Sequence, residues 1–379
     1  MNQEAGKKPK YEIITDDILT RIRNNDFSYD TVLCTEMQLT EQYGVSRITA
    51  KRALTDLEQR GILYRKRGVG SFVARNALNN LNNQHQPSSS SKMVSFLLPF
   101  DITKGGMLQT IKTVNGALND NGYLMSIYIS NTSAAKEKAN IQLLLSQNIS
   151  GLVYYPFRDN INLNMLNEFV YAKIPVVVID KSTDCPYIQN VISDNFEGGR
   201  LLTEHLINLG HKNIGFLTTA PVEETSTVRN RFGGYLQQLI SAGLTPDPAN
   251  IICTPYEVTE EDIESENSRF RNAVHRMYIN GATALLTEND RVAQLAICAC
   301  RKLNLRVPED ISICGFDDQE IATEYDITSV RQDFTGIGQR ISELMLASIK
   351  EPSCGGKKVT VPVELVIRGS TGAPKQPLL

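Results

Sequence analysis

Tyr43-Gly44-Val45-Ser46-Arg47-Ile48-Thr49-Ala50-Lys51-Arg52-Ala53-Leu54, followed by Gly61 and by Lys66-Arg67-Gly68-Val69-Gly70-Ser71-Phe72-Val73, is the stretch whose reading decides the front of this chain. Just upstream, Thr35 and Gln38 stand at the spacing of a capping box, with Leu39 turned inward next. Gly44 ends that helix and Ser46 caps another. In the second helix Ala50, Ala53, Leu54 and Leu57 share one face, while Arg47, Ile48, Lys51, Arg52 and Thr55 share the opposite one. Residues 62–74 alternate as a two-stranded hairpin, with Arg65, Lys66 and Arg67 beside Gly68 and Gly70 at the tip. A cationic helix face alone is equally a solvated surface. Caps, turn glycine, helix face and basic hairpin together predict an α+β winged helix-turn-helix over residues 1–75. Its outward helix suits the major groove of double-stranded DNA, where Arg and Lys donate to guanine edges and Thr or Ile methyls meet thymine.

Charge is distributed accordingly. Between Lys7 and Arg75 there are 13 Lys and Arg against 9 Asp and Glu, a net of +4, whereas the whole chain of 379 residues carries −3. The front end suits a polyanion and the rest does not. No run approaches the roughly 20 apolar residues of a membrane span, and Met1-Asn2-Gln3-Glu4-Ala5-Gly6 lacks the apolar core of an export signal, so a cytoplasmic protein is expected. Seven scattered cysteines and four histidines, only His205 and His211 being close, suggest reduced thiols and no metal site.

Residues 76–92, rich in Asn, Gln and Ser, read as a flexible linker. From Met93 apolar β-rich runs alternate with helical stretches, predicting a parallel-sheet α/β domain over residues 93–371 and a short tail at 372–379. Strands are expected at Val94–Leu98, Leu124–Ile129, Gly151–Tyr155, Val176–Ile179, Ile214–Leu217, Ile251–Cys253, Ala284–Leu286 and Ile311–Gly315. Helices are expected near 107–121, 133–147, 162–172, 197–209, 229–242, 260–280, 290–303 and 335–350. The pattern restarts near Ser193, giving two doubly wound lobes: 93–192 with 332–355, and 193–331 with 356–371. Ligands of such sheets bind at strand carboxyl ends, here in a cleft between lobes.

Polar residues gather at those ends. Asp180 closes Val176-Val177-Val178-Ile179, Asn289 precedes a helix that Asp290 would cap, Asp317 follows Gly315-Phe316, and Arg231 opens a helix. Taken singly, each Asx residue is as well explained as a turn former or cap. As a set they suit a sugar, because carboxylates accept hydroxyl protons while Arg and Asn donate to ring and hydroxyl oxygens. Phe100, Tyr155, Phe196, Phe316 and Phe334 are aromatics that could cover its apolar face, though most of the chain's aromatics must be core.

Residues 10–75 resemble the DNA-binding domain of the GntR family. Leu33-Cys34-Thr35-Glu36 replaces the usual Leu-Pro-Ser-Glu, and Thr49-Ala50-Lys51 replaces Thr-Val-Arg, so a point charge stands where a bidentate fork is usual. The resemblance implies DNA contacts by Arg47, Thr49 and Lys51, supported by Thr35, Ser46, Arg52 and the wing residues Lys66, Arg67, Gly68 and Gly70. Residues 93–371 resemble the effector-binding domain of the LacI/GalR family, itself similar to type I periplasmic sugar-binding proteins. That likeness rests on Ser193-Asp194-Asn195-Phe196-Glu197-Gly198-Gly199-Arg200, on His205 to Phe216, on Glu288-Asn289-Asp290, on Val307 to Ser312, on Gly315-Phe316-Asp317-Asp318, on Ser329 to Phe334 and on Leu365 to Thr371. It implies effector contacts at Asp180, Arg231, Asn289, Asp317 and Gln332, with Phe334 or Phe100 stacking. The chain has no tryptophan, and the LacI family's own helix-turn-helix and hinge helix are missing. The combined layout resembles repressors of the arabinose type. It implies a homodimer on a pseudo-palindromic operator, released when a monosaccharide closes the lobes.

Other classes fit less well. Gly336-Ile337-Gly338 lacks the third glycine of a dinucleotide fingerprint, and no triad or acid pair stands out, so neither catalysis nor a cofactor is expected. A co-repressor, or a phosphorylated or nucleoside ligand, would use the same scaffold. The expected cleft offers two acids and an Arg but no lysine-rich phosphate nest, which favours a neutral aldose. Arabinose, fucose, xylose, galactose and ribose are not separable by residue type.

Overall fold

The computed structural model describes residues 9–24, 26–27, 32–59, 61–66, 69–75, 77, 91–102, 105–159, 162–183, 185–254, 259–265, 268–351 and 355–375. They form two compact units that divide between Ser89 and Ser90.

The first unit contains α1 (Lys10–Arg23), β1 (Val32–Cys34), α2 (Glu36–Tyr43), α3 (Arg47–Gln59), β2 (Leu63–Lys66) and β3 (Gly70–Val73). The capping box at Thr35 forms as the spacing requires: its hydroxyl accepts from Gln38 N at 3.3 Å, and its backbone N donates to Gln38 Oε1 at 2.7 Å. Gly44 takes the left-handed conformation, φ 56°, that closes α2, and Ser46 Oγ accepts from Thr49 N at 3.2 Å. Ala50, Ala53, Leu54 and Leu57 are buried with Leu39 and Ile62, as their spacing demands.

Two features correct the sequence reading. Helix α1, absent from it, supplies Ile14, Ile18 and Ile22 to the same core. The hairpin of β2 and β3 forms as expected, but β1 joins antiparallel to β3 and makes the sheet three-stranded, in the order β1-β3-β2. Three residues separated from their partner by most of the domain leave no local pattern to find.

The second unit has two six-stranded sheets. The first lobe comprises β4 (Ser91–Leu98), α4 (Gly106–Asp120), β5 (Leu124–Ile129), α5 (Ala134–Ser146), β6 (Ile149–Tyr154), α6 (Leu163–Tyr171), β7 (Val176–Ile179) and β8 (Gln189–Ser193). The second comprises α7 (Asn195–Asn208), β9 (Ile214–Thr218), α8 (Ser226–Ser241), β10 (Ile251–Cys253), α9 (Glu260–Glu264), α10 (Arg269–Ile279), β11 (Ala284–Thr287), α11 (Asp290–Lys302), β12 (Ser312–Asp317), α12 (Glu320–Glu324) and β13 (Thr328–Gln332). The chain then returns through α13 (Phe334–Lys350) and β14 (Lys358–Val361) to the first lobe, and crosses again to β15 (Val363–Val366).

Strand order is β14-β8-β7-β6-β4-β5 in the first sheet and β10-β9-β11-β12-β13-β15 in the second. All neighbours are parallel except β13 and β15. Such strands, covered on both faces by helices, read as the continuous apolar runs seen in the sequence. The expected lobe limits need one correction. Residues 358–361 belong to the first lobe, because β14 pairs in parallel with β8, from Lys358 opposite Asn190 to Val361 opposite Ser193. Strands β8, β13, β14 and β15 escaped the sequence reading, since they are short and polar or lie at sheet edges. The expected helix at 260–280 is two helices, α9 and α10. The first strand begins at Ser91, inside the stretch read as linker; 76 and 78–90 of that stretch lie outside the described residues. Residues 372–375 of the tail are anchored, Gly372 O accepting from His211 Nε2 at 2.8 Å; 376–379 lie outside the described residues.

Three crossings thus join the lobes, and they lie side by side. Asp194 N donates to Val361 O at 2.9 Å, and the Ser193 hydroxyl bonds the Gln332 side-chain carbonyl.

Candidate functional site

In the first unit the outward face of α3 is open. The Arg47 side chain is 84% exposed and Ile48 is 81% exposed; Lys51 and Arg52 are also exposed. Arg47 Nε lies 3.2 Å from Glu36 Oε2, and the Arg52 guanidinium stacks 4.1 Å from the Tyr11 ring centroid. Thr35 and Ser46 are engaged in starting helices, and the Ser46 and Thr49 hydroxyls lie 2.9 Å apart. Arg65, grouped with the basic wing in the sequence, is half-buried and ties the wing to α3. Its Nη2 donates to Thr55 Oγ1 at 3.1 Å, and it pairs with Glu58 at 3.3 Å and Glu36 at 3.5 Å. Glu36 therefore joins the start of α3 to the wing, a link the sequence reading missed. The Lys66 ammonium sits 4.7 Å over Phe72. Gly70, φ 139°, packs where a Cβ would come 3.2 Å from Val32. Arg67 and Gly68 lie outside the described residues.

In the second unit a cavity of roughly 400 Å³ lies between the lobes, at the carboxyl ends of both sheets. Phe100, Asp180 and Phe334 reach it from the first lobe and Arg231, Asn289, Asp317 and Gln332 from the second, so all seven residues named from the sequence line one space.

Arg231 is the most constrained. It is 6% exposed, its Nε donates to Asn195 Oδ1 at 2.8 Å, Nη1 donates to Glu288 O, and Nη2 lies 3.4 Å from Asp317 Oδ1. The guanidinium carbon sits 3.6 Å from the centroid of Phe316. Helices α7 and α8 must meet closely to hold it there: a Cβ on Gly199 would lie 2.1 Å from Arg231 O, and one on Gly234 2.0 Å from Phe196 O. Helix α8 starts at Ser226, so Arg231 sits in its second turn rather than opening it.

Asp317 Oδ1 accepts from Gln332 Nε2 at 2.6 Å. Burial pushes its carboxyl up to about 6, opposed by Arg231 and Gln332, with Asp180 and Glu288 adding to the rise. Both acids occupy left-handed backbone, φ 65° at Asp180 and 106° at Asp317, a strain that ordinary strand ends do not carry.

Other expectations change. Asn289, not Asp290, caps α11, accepting from Val292 N at 2.9 Å; its Nδ2 lies 3.5 Å from Glu288 Oε1. Asp290 is buried beneath, bonded to Ser329 Oγ at 2.5 Å and Gln319 N at 2.9 Å, and burial followed by Asp317 raises it to about 7. Phe316 is fully buried under Arg231, so it supports the site and cannot face a ligand. Phe196 is absent from the lining, whereas Tyr155 joins it, edge-on to Phe100 at 5.3 Å between centroids.

The sequence reading missed Lys181 and Glu288. Glu288, 5% exposed, accepts from Thr219 Oγ1 at 2.6 Å and from the backbone N of Thr219 and Ala220 at 3.1 Å, fixing one cavity wall. Lys181 follows Asp180 directly, a neighbour that strand alternation would send away from the site. Among the described residues no cluster of three or more His, Cys, Asp or Glu could hold a metal, and no helix is long and apolar enough to cross a membrane.

Comparison with known proteins agrees with this division. Residues 10–73 match the family described as bacterial regulatory proteins, gntR family, and residues 203–371 match the periplasmic binding protein-like domain. The arabinose metabolism transcriptional repressor of Geobacillus stearothermophilus is 28% identical over 377 residues, 96% of this chain and 98% of that protein. The HTH-type transcriptional repressor PurR of Edwardsiella ictaluri is 30% identical over 271 residues, 69% of this chain and 75% of its own. Among solved structures, a transcriptional regulator CelR–cellobiose complex matches with a TM-score of 0.65 at 19% identity, over 89% of this chain and 99% of its own. A LacI family regulator from Enterococcus faecium with bound ribose matches with 0.62 at 21% identity, over 75% and 100%.

Proposed function

Because the chain belongs to the bacterial transcriptional repressors, with a gntR-family reader and a LacI-type periplasmic-binding-protein-like sensor, we propose that a neutral monosaccharide fills its interlobe cleft and releases it from operator DNA. The observation that carries this reading is the cavity itself. Arg231, Asp317, Gln332 and Asn289 from one lobe face Asp180, Phe100 and Phe334 from the other across about 400 Å³. Fixed donors, ionisable acceptors and aromatic walls together are the chemistry of a polyol with one apolar face.

Arg47, Thr49, Lys51 and Arg52 on α3, with Lys66, Arg67 and the glycines of the wing, are the proposed DNA contacts. Thr35 and Ser46 support them by starting the two helices. Two copies of the chain would place two reading helices on a pseudo-palindromic site.

Gln332 connects occupancy to motion. It ends β13 at one interlobe crossing, bonds Ser193 at another, and holds Asp317 in the cleft. A sugar that bonds both lobes favours their closed arrangement by its own contacts, which is the condition for shifting any equilibrium. The nearest alternatives, a co-repressor and a phosphorylated or nucleoside ligand, predict opposite or different responses.

The test uses the full-length protein. Thermal unfolding is followed against arabinose, fucose, xylose, galactose and ribose, and binding to duplexes selected from a random library is followed by fluorescence anisotropy. One sugar should raise the unfolding temperature and lower duplex affinity. Stabilisation with tighter duplex binding would establish a co-repressor. No stabilisation by any neutral sugar would refute the reading.

A further inference from the structure

We propose that Lys181 is a specificity-determining residue of the cleft, which with Asp180 grips one hydroxyl of the bound monosaccharide and rejects analogues lacking it. The inference rests on the sugar reading above and names the part of the site that selects the ligand.

The backbone brings these two neighbours together. In a continuing strand residues 180 and 181 would face opposite sides of the sheet. Here Lys181 N donates to Ile179 O at 2.7 Å, and Asp180 has φ 65°, so the strand ends in a γ-turn. That turn sends both side chains into the same cavity. It is held from below by Asn190, 2% exposed, whose Nδ2 donates to Val178 O at 3.0 Å and to Lys181 O at 2.8 Å.

Lys181 is 9% exposed, its ammonium 3.0 Å from Asp180 Oδ2 and 3.2 Å from Thr227 Oγ1. An ammonium carries three donors; Thr227 takes one, and Asp180 Oδ2, though ion-paired with the ammonium, is buried without a hydrogen-bond partner, so both groups keep hydrogen-bonding capacity for a ligand hydroxyl. A hydroxyl placed there accepts from Lys181 and donates its own proton to Asp180. Thr227 belongs to the second lobe, so the same ammonium bridges the lobes beside the ligand.

Charge selects the ligand class. Asp101, Asp180, Glu288 and Asp317 line the cavity against Lys181 and Arg231, so a phosphate would meet more carboxylates than cations. A neutral polyol matches the paired donor and acceptor without adding charge. Packing alone gives no reason to bury a lysine at this point, because an ammonium taken from water must be compensated by partners.

The experiment compares wild type, Lys181→Met and Thr227→Val by calorimetric titration with the five sugars named above and with monodeoxy analogues of whichever binds. Lys181→Met should weaken the bound sugar about 10- to 100-fold, the range expected when a buried charged hydrogen bond is lost. One deoxy analogue should bind wild type equally poorly, yet bind Lys181→Met no worse than the parent sugar does. Thr227→Val keeps the ammonium and should lose less, while retaining discrimination against that analogue. If Lys181→Met is too unstable to titrate, the proposal is decided by Thr227→Val and the wild-type deoxy series: failure of wild type to discriminate against any deoxy analogue overturns it. Wild-type sugar binding with an unchanged affinity in Lys181→Met refutes the assignment of Lys181 alone. Absence of sugar binding by wild type overturns both this inference and the reading it rests on.

Discussion

Asp317→Asn should make the unliganded protein more stable in mild alkali while weakening its hold on sugar. The Asp317 carboxyl is pushed from 3.8 up to about 6, burial being the main cause. A group whose folded value is raised contributes stability fully present below its unfolded value, and loses it as pH rises through the folded one. Each tenfold change in proton affinity is worth roughly 1.4 kcal/mol, so keeping the ionised form in the cleft costs about 3 kcal/mol once the pH is well above 6. About 1 kcal/mol of that develops between pH 5 and pH 8. Asn avoids the charge and keeps an oxygen that accepts from Gln332 Nε2, now 2.6 Å away, and from Arg231 Nη2, at 3.4 Å.

Urea unfolding of both proteins at pH 5 and pH 8 measures the difference. Burial lowers His205 and His211 below 6.5, so they act in the opposite direction, losing stability as pH falls through that value. Both proteins share them, and the comparison cancels their effect. The advantage of Asp317→Asn should grow from pH 5 to pH 8 by about 1 kcal/mol or more, because removing the Asp317 charge also relieves the neighbouring Asp290. Sugar affinity at pH 8 should fall about tenfold, because a charged acceptor becomes a neutral one. A stability difference that does not change with pH would refute burial as the source of the raised value. Unchanged sugar affinity would remove Asp317 from the ligand's contacts.

Arg47→Ala should abolish salt-sensitive duplex binding, read by anisotropy, while the sugar-induced rise in unfolding temperature persists; joint loss would indicate misfolding instead. Thr35→Ala removes the hydroxyl that caps α2 and should destabilise the winged helix by about 1 kcal/mol in urea unfolding. Gly199→Ala places a methyl 2.1 Å from Arg231 O. It should cost about 3 kcal/mol or more and reduce sugar binding by displacing Arg231, checked by unfolding and titration of one preparation.

The sequence by itself determined the caps, the helix faces and the hairpin of the first unit, though not α1 or β1. Thr35, Gln38, Gly44 and Ser46 act within three or four residues of their partners, and the burial of Ala50, Ala53, Leu54 and Leu57 follows from helical period alone. It also determined the first-lobe strands and helices with long apolar runs, and it named Asp180, Arg231, Asn289, Asp317, Gln332, Phe100 and Phe334 as a polar and aromatic set. The tertiary structure decided what depends on distant partners. β1 exists through β3, and β14 belongs to the first lobe through β8, pairings that leave no periodic trace in three or four residues. Within the cleft, Lys181 enters because a single positive φ at Asp180 breaks strand alternation, and Phe316 withdraws because Arg231 covers it. Local free energies fix caps and amphipathic faces, so they can be read along the chain. Which side chains converge on one space depends on turns and crossings whose stabilising contacts come from other elements, from the neighbouring strand at Asn190 to the distant pairing of β14 with β8.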